Sequence, residues 1–202
     1  MSLDPLEKYL PFGTLPSVAT LIRDTSVLIR IKDERKTKYG DYRPLGRGWK
    51  HQITINNNLN PYAFLVTLLH EIAHLQVQET YGNRIKPHGD EWQYMYAILL
   101  KKYLNKGFFP QSLEKALAEH INRPCASSCT DLDLFKALRK HDRSYQAHTH
   151  VEDLKEGERF VWRENQIFVK GSKLRTRYQC NEVKSGRVYF FHPLAEVEKL
   201  NK

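Results

Sequence analysis

The segment from Asn60 to Gly82 constrains the chain most: it reads as one long buried helix, yet it carries two histidines and a glutamate near its middle. Asn60-Pro61 supplies a helix start, with Asn as the N-cap and Pro in the first turn, and Gly82 supplies a stop. Between them Phe64, Leu65, Leu68, Leu69, Ile72, Ala73 and Leu75 make the helix apolar over a wide arc, as a core helix requires. Polar residues from His70 onward interrupt the run before it is long enough to cross a membrane. Desolvating two imidazoles and a carboxylate in such a helix is costly unless something pairs with them, and a metal ion does so. In His70-Glu71-Ile72-Ala73-His74 the imidazoles are four residues apart and stack on one face, so both reach a single ion. Glu71 projects beside that ion, placed to take a proton from a water the metal has acidified and to return it to a leaving amine. Two satisfied core histidines are the competing reading.

A zinc site that works on substrate keeps three protein ligands and an open position. His88 is the best candidate for the third. It stands in Lys86-Pro87-His88-Gly89-Asp90-Glu91-Trp92, after a turn and at the start of a second helix. In that helix Trp92, Met95, Tyr96, Leu99, Leu100 and Tyr103 recur at steps of three and four. Packed antiparallel on the first helix, this second one swings His88 back towards the metal, and Gly89 lets backbone approach closely. Glu79, Asp90 and Glu91 compete as ligands, or serve as carboxylates that orient a ligand imidazole. Alternatively, His88 is an ordinary residue near a helix start.

Four stretches carry a family resemblance in order and spacing: Thr37-Lys38-Tyr39-Gly40-Asp41-Tyr42-Arg43, Ile53-Thr54-Ile55-Asn56, Leu68-Leu69-His70-Glu71-Ile72-Ala73-His74 and Pro87-His88-Gly89-Asp90-Glu91-Trp92. With them the chain resembles the SprT-like metalloprotease family, related to the eukaryotic protease Spartan. The resemblance spans about residues 5 to 105, and HEIAH combined with PHG-x-x-W is far more specific than HEIAH alone. It implies an α+β, zincin-like domain, with a small β-sheet, the HExxH helix and further helices. It also implies one catalytic Zn2+ held by His70, His74 and His88, with Glu71 as general base. Among Spartan-type relatives the implied task is cleavage of proteins attached to DNA; for bacterial relatives a link to transcription is implied.

Many relatives carry a zinc ribbon of two cysteine pairs after this domain, and here the chain departs from the pattern. Cys125 and Cys129 would form one knuckle, but the second retains only Cys180, so a four-ligand site would need His192 or His141 as substitute. A second, structural ion is therefore not expected. Three cysteines, an odd number, fit a reducing cytoplasm better than a disulfide framework, and they read as ordinary thiols. The N-terminus has no basic-then-apolar signal, so the expected location is cytoplasmic, without a membrane partner.

The expected organisation is a metalloprotease domain over residues 1–145 and a small β-rich module over 151–202, with a boundary near Ser144 to His150. Leu3 to Tyr9, Leu15 to Arg23, Pro110 to His120 and Asp131 to Arg139 read as helices. Val27 to Ile31 and Gln52 to Asn56 read as strands of one small sheet. Gln52 to Asn56 is expected at the sheet edge, where an extended substrate pairs with it, or else as a plain core strand. Tyr39 to Arg43 is expected as an exposed ribbon turning at Gly40. From Val151 onward, four short runs punctuated by Gly157, Gly171 and Gly186 predict a curled antiparallel sheet or barrel, held by apolar packing in place of metal.

The net charge of +9, from 32 basic and 23 acidic side chains, favours attraction to polyanions. Arg30, Lys32, Arg35, Lys36, Lys38, Arg43, Arg47 and Lys50, among Tyr39, Tyr42 and Trp49, form one cluster; Lys170, Lys173, Arg175 and Arg177 beside Tyr178 form another. Such mixtures suit phosphate contacts and base stacking on single-stranded DNA, and a solvated basic face explains them too. Three functions remain open: a zinc metallopeptidase acting on a protein or peptide substrate, a nucleic-acid-binding or transcription-associated factor with a structural or vestigial zinc site, and a zinc hydrolase of non-peptide substrates. Tyr39, Tyr42, Arg43 and Tyr94 are the candidate oxyanion stabilisers. The oligomeric state has no signature.

Overall fold

A computed structural model describes residues 4–35, 37–44, 50–122, 131–142, 149–163 and 165–200. Cys125, Cys129, Lys36, Arg47 and Trp49, and the expected boundary as far as residue 148, lie outside the described residues. The chain divides into two compact units, Met1–Tyr145 and Gln146–Lys202.

The first unit opens with helices α1 (Asp4–Glu7) and α2 (Leu15–Ile22), followed by strands β1 (Val27–Lys32), β2 (Gly40–Arg43) and β3 (His51–Asn56). Helices α3 (Pro61–Tyr81), α4 (Asp90–Lys101), α5 (Gln111–Asn122) and α6 (Leu132–Arg139) complete it. The three strands form one sheet in the order β1-β3-β2, with β1 parallel and β2 antiparallel to β3. This corrects two expectations. The Gln52–Asn56 segment is the middle strand, hydrogen-bonded on both sides, so it offers no edge to a substrate. Tyr39–Arg43 is no ribbon turning at Gly40, because residues 40–43 are the edge strand β2.

Strand alternation assigns the two faces of this sheet. Ile29 and Ile31 of β1, Tyr42 of β2, and Ile53 and Ile55 of β3 belong to the main core with α3. Arg30, Lys32, Asp41, Arg43, Thr54 and Asn56 take the opposite face. Thr54 and Asn56 are nevertheless buried, because Arg35 lies over them. Its Nη1 donates to Thr54 Oγ1 at 3.0 Å and its Nε to Asn56 Oδ1 at 2.8 Å. The Asn56 amide in turn donates to the carbonyls of Arg35 and Lys38.

Helix α3 runs through the core between the sheet and α4. Phe64, Leu65, Val66, Leu68, Leu69, Ile72, Ala73 and Leu75 are fully buried, which explains why the apolar arc is so wide. Each buried Leu, Ile or Phe there contributes about 2 kcal/mol of transfer free energy. The helix starts and stops where the sequence predicts. Asn60 Oδ1 accepts from the backbone N–H of Tyr62 and Ala63, Pro61 occupies the first turn, and Gly82 follows the last residue with φ +66°. Asn60 does more than cap: its Nδ2 donates to Leu138 O at 2.9 Å and to Asp142 Oδ1 at 2.6 Å, which ties α3 to the end of α6.

The second unit is an antiparallel sheet of six strands in the order β4-β9-β5-β6-β7-β8. They are β4 (Thr149–His150), β5 (Arg159–Trp162), β6 (Gln166–Lys173), β7 (Tyr178–Glu182), β8 (Val188–Phe191) and β9 (Glu196–Lys199). Four of these overlap the runs read from the sequence, β7 only in its first three residues, and β4 and β9 were missed. Phe160, Phe168, Cys180 and Phe191 pack its core together with Val151 and Leu154. Lys170 is buried there as well, its ammonium donating to the carbonyls of Glu152 and Leu154 and lying 4.1 Å from the Tyr178 ring centroid.

The two roles of Asn60 set an expectation for stability. Asn60→Ala loses the cap and also the two bonds from Nδ2 to Leu138 O and Asp142 Oδ1, while His141 N–H still serves the Leu138 carbonyl, so it should cost roughly 2 kcal/mol, more than the ~1 kcal/mol of an ordinary cap. Urea denaturation measures this, and a loss below 1 kcal/mol would show that the link to α6 contributes nothing.

Candidate metal centre

Along α3, His70 and His74 lie one turn apart on the same face, and α4 returns beside that face. The third histidine reaches them through the turn before α4. Gly89 N–H donates to Lys86 O at 2.9 Å, Pro87 holds the second position, and His88 holds the third with φ +58°. This is the pattern of a type II turn, whose third position ordinarily belongs to Gly or Asn. His88 adopts a conformation that costs an L residue about 1 kcal/mol or more. A donation from Gln93 Nε2 to His88 O at 3.1 Å holds the turn to the first turns of α4. The acidic side chains of Asp90 and Glu91 sit in the first turn of α4, where the helix dipole favours them.

The result is a triangle of Nε2 atoms. His70 to His74 is 3.2 Å, His74 to His88 is 3.0 Å, and His70 to His88 is 3.2 Å. Tetrahedral ligation at the usual zinc–imidazole length of about 2.0–2.1 Å requires donor nitrogens roughly 3.3 Å apart. The donor set therefore fits a first-row divalent ion. Among the described residues this is the one group of side chains so arranged, and Glu79, Asp90, Glu91 and Cys180 do not join it.

Trp92 forms the floor. Its ring centroid lies 4.6 Å from that of His70, 5.2 Å from His74 and 4.6 Å from His88, and the side chain is fully buried. Tyr96 meets the His70 ring edge-on at 5.5 Å. From the sheet, Tyr42 stacks parallel on His74 at 6.1 Å, and its hydroxyl lies 2.8 Å from His51 Nδ1. The sequence reading took Trp92 and Tyr96 as core residues, which they are; that they back the histidines follows from their position on α4.

Burial sets the protonation states. It holds His70 down to about 2, with smaller contributions from His74, His88 and His120. It holds His74 down to about 4, with His88 adding to the effect, and lowers His88 as well. All three rings are thus neutral at physiological pH, the form that binds metal. Glu71, 6 % exposed, is pushed up to about 8, first by burial and then by the Asp41 carboxylate, against the pull of Arg35, Lys38 and the Tyr42 backbone N–H bonded to it. Strand β2 holds this carboxylate closely. A Cβ on Gly40 would lie 2.5 Å from Glu71 Oε1 and 2.7 Å from Thr67 Cγ2, so glycine is required there for close approach.

The remaining candidates are dispersed. Tyr94 is 70 % exposed on α4, and Arg43 and Lys38 both pair with Asp41, at 3.1 and 2.7 Å. In the second unit Lys173 lies 5.5 Å from the Tyr178 ring centroid, Arg177 Nη1 donates to Phe190 O, and Arg175 is exposed.

Residues 19–110 match the model of the SprT-like family. Two curated proteins named Protein SprT are similar over a 63-residue stretch: that of Pseudomonas fluorescens strain Pf-5 at 35% identity and that of strain SBW25 at 33%. Each alignment covers 31% of this chain and 38% of the relative. The chain thus spans less than half the length of these relatives. No solved structure matches.

These shifts determine how the metal-free protein responds to pH. The depressed His70 and His74 contribute stability that is complete above their unfolded value of 6.5 and is lost as pH falls towards 4 and then 2. The elevated Glu71 contributes stability that is complete below 4.5 and is lost as pH rises to about 8. Stability of the chelator-treated protein should therefore peak near pH 6.5 as far as these groups determine it. Thermal unfolding followed by circular dichroism compares wild type with Glu71→Gln. Above the peak, wild type should lose on the order of 1 kcal/mol per pH unit relative to the variant. Parallel profiles up to pH 8 would contradict the assigned cause.

Proposed function

We propose that this chain, whose residues 19–110 match the SprT-like family, is a zinc-dependent metallopeptidase that hydrolyses peptide bonds with water. His70, His74 and His88 hold the ion, and the Nε2 triangle is the observation that carries this reading. When bound, zinc supplies Lewis acidity, which polarises the scissile carbonyl and makes water a better nucleophile.

Glu71 is the proton carrier. Burial alone holds Glu71 protonated at neutral pH; a divalent cation on the three imidazoles would favour its charged form, and the carboxylate would then accept a proton from the attacking water and donate it to the departing amine. Tyr42 N–H and the bare face of Gly40 keep that carboxylate in place. Trp92 behind the imidazoles excludes water from the rear of the site, and the Tyr42 ring fixes the plane of His74. Strand β2 is the edge beside α3, so it takes the role of aligning an extended substrate that the sequence assigned to residues 52–56.

A DNA-associated role is the second reading, favoured by one observation: strand alternation puts Arg30, Lys32 and Arg43 together on the sheet face turned away from α3. On this reading the face holds single-stranded DNA through its phosphates and brings a DNA-associated protein to the metal.

Glu71→Gln separates the two readings. The variant should keep its full complement of zinc while cleavage of an unfolded protein substrate falls by roughly 10²–10⁴-fold, as expected for loss of a general base. Unchanged turnover would reject the role of Glu71. If the second reading holds, binding of single-stranded DNA survives in the variant and weakens steeply with salt, and no binding at low salt would eliminate it.

A further inference from the structure

Strand β8 ends the six-stranded sheet, and its outward side is unlike an ordinary protected edge. Val188 is 47 % exposed and Phe190 52 %, while the alternate residues Tyr189 and Phe191 pack inward on the core of the second unit. The apolar surface continues across the sheet. Val183 stands opposite Ile167, with its N–H donating to Ile167 O at 2.9 Å, and both side chains are exposed. The four residues share the face opposite Phe160, Phe168 and Cys180.

The backbone of β8 is also available. Glu182 N–H donates to Arg187 O at 2.9 Å, and from that bond the two-residue repeat of an antiparallel ladder turns the polar groups of Cys180 and Tyr189 towards each other. Val188 and Phe190 therefore direct their N–H and C=O groups to the open side. Arg177 Nη1 already donates to the Phe190 carbonyl at 3.3 Å, which confirms that this carbonyl faces outward.

Charge selects the occupant. Lys184 and Arg187 flank β8 on the hairpin that leads into it, and Arg177 lies along its side. None of the three forms an ion pair among the described residues, and Glu182, the nearest acid in sequence, is bonded to Ser185. Two copies of this edge would bring like charges together, so self-pairing is disfavoured. The exposed apolar side chains are three aliphatic and one aromatic, a set that suits alternating peptide side chains better than stacked bases.

We propose that β8 is the docking edge for an extended, acidic segment of a partner protein, which adds to the sheet as a further strand. Its backbone pairs with Val188 and Phe190, its aliphatic side chains cover Val183, Val188 and Phe190, and its carboxylates meet Arg177, Lys184 and Arg187. The site belongs to the second unit, shares no residue with the metal centre and does not depend on catalysis.

The test uses the full chain and a fluorescein-labelled peptide in which Val and Ile alternate with Asp and Glu. Fluorescence anisotropy should show saturable binding, weaker by about tenfold or more in Phe190→Ser and in the double variant Lys184→Glu/Arg187→Glu. Hydrogen exchange should slow at the amides of Val188 and Phe190. Phe190 is half exposed, so its truncation leaves the core intact, and the charge reversal provides an independent variant. The proposal is overturned if a basic peptide of the same alternation binds equally, if protection appears only at residues 40–43, or if a short oligothymidylate binds and is lost in the same variants. It is equally overturned if the chain dimerises in sedimentation through Phe190.

Discussion

Three imidazole nitrogens held within 3.2 Å of one another are a demand that the rest of the first unit is built to meet. Neutral imidazoles cannot satisfy such a triangle among themselves, because each ring has one N–H and a hydrogen on one Nε2 points at only one neighbour. A cation on their common side satisfies all three lone pairs at once. Two of the rings come from α3 at no conformational cost, since helical spacing alone aligns them. The third requires a left-handed residue in the turn ahead of α4, which is strain accepted for the sake of position.

The surroundings of the triangle follow from this. A helix carrying two neutral histidines and a carboxylate can lie in a core only if its other faces are thoroughly apolar, and those of α3 are. Trp92 and Tyr96, one turn apart on α4, back the rings. Strand β2 closes the other side, near enough for glycine alone to fit against Glu71. The same burial that keeps the imidazoles neutral raises the Glu71 carboxyl, so one physical cause sets the protonation of both the rings and the acid beside them.

What the sequence made legible was what depends on spacing within an element or across one turn. The limits of α3 follow from Asn60, Pro61 and Gly82, and the shared face of His70 and His74 follows from a four-residue step. His88 was legible because Pro87 and Gly89 mark the turn that aims it. Pairing between distant segments was not. Residues 51–56 alternate as an edge strand would, and nothing local shows that β1 and β2 bond to either side of them. Gly40 looked like a turn residue, when its lack of a side chain serves approach to a carboxylate 31 positions away. The strands β4 and β9 escaped notice because one has two residues and the other is mostly charged, so each depends on the rest of the sheet for its existence. The match to the SprT-like family over residues 19–110 covers the part of the chain in which local signals were strongest.

X-ray absorption at the zinc edge, on protein purified without exposure to chelator, addresses the triangle directly. The expected result is one zinc per chain with three imidazole nitrogens at about 2.0 Å and one oxygen ligand, reduced by one imidazole in His88→Ala. A protein free of transition metal, or a zinc shell unaltered by removing His88, would contradict it.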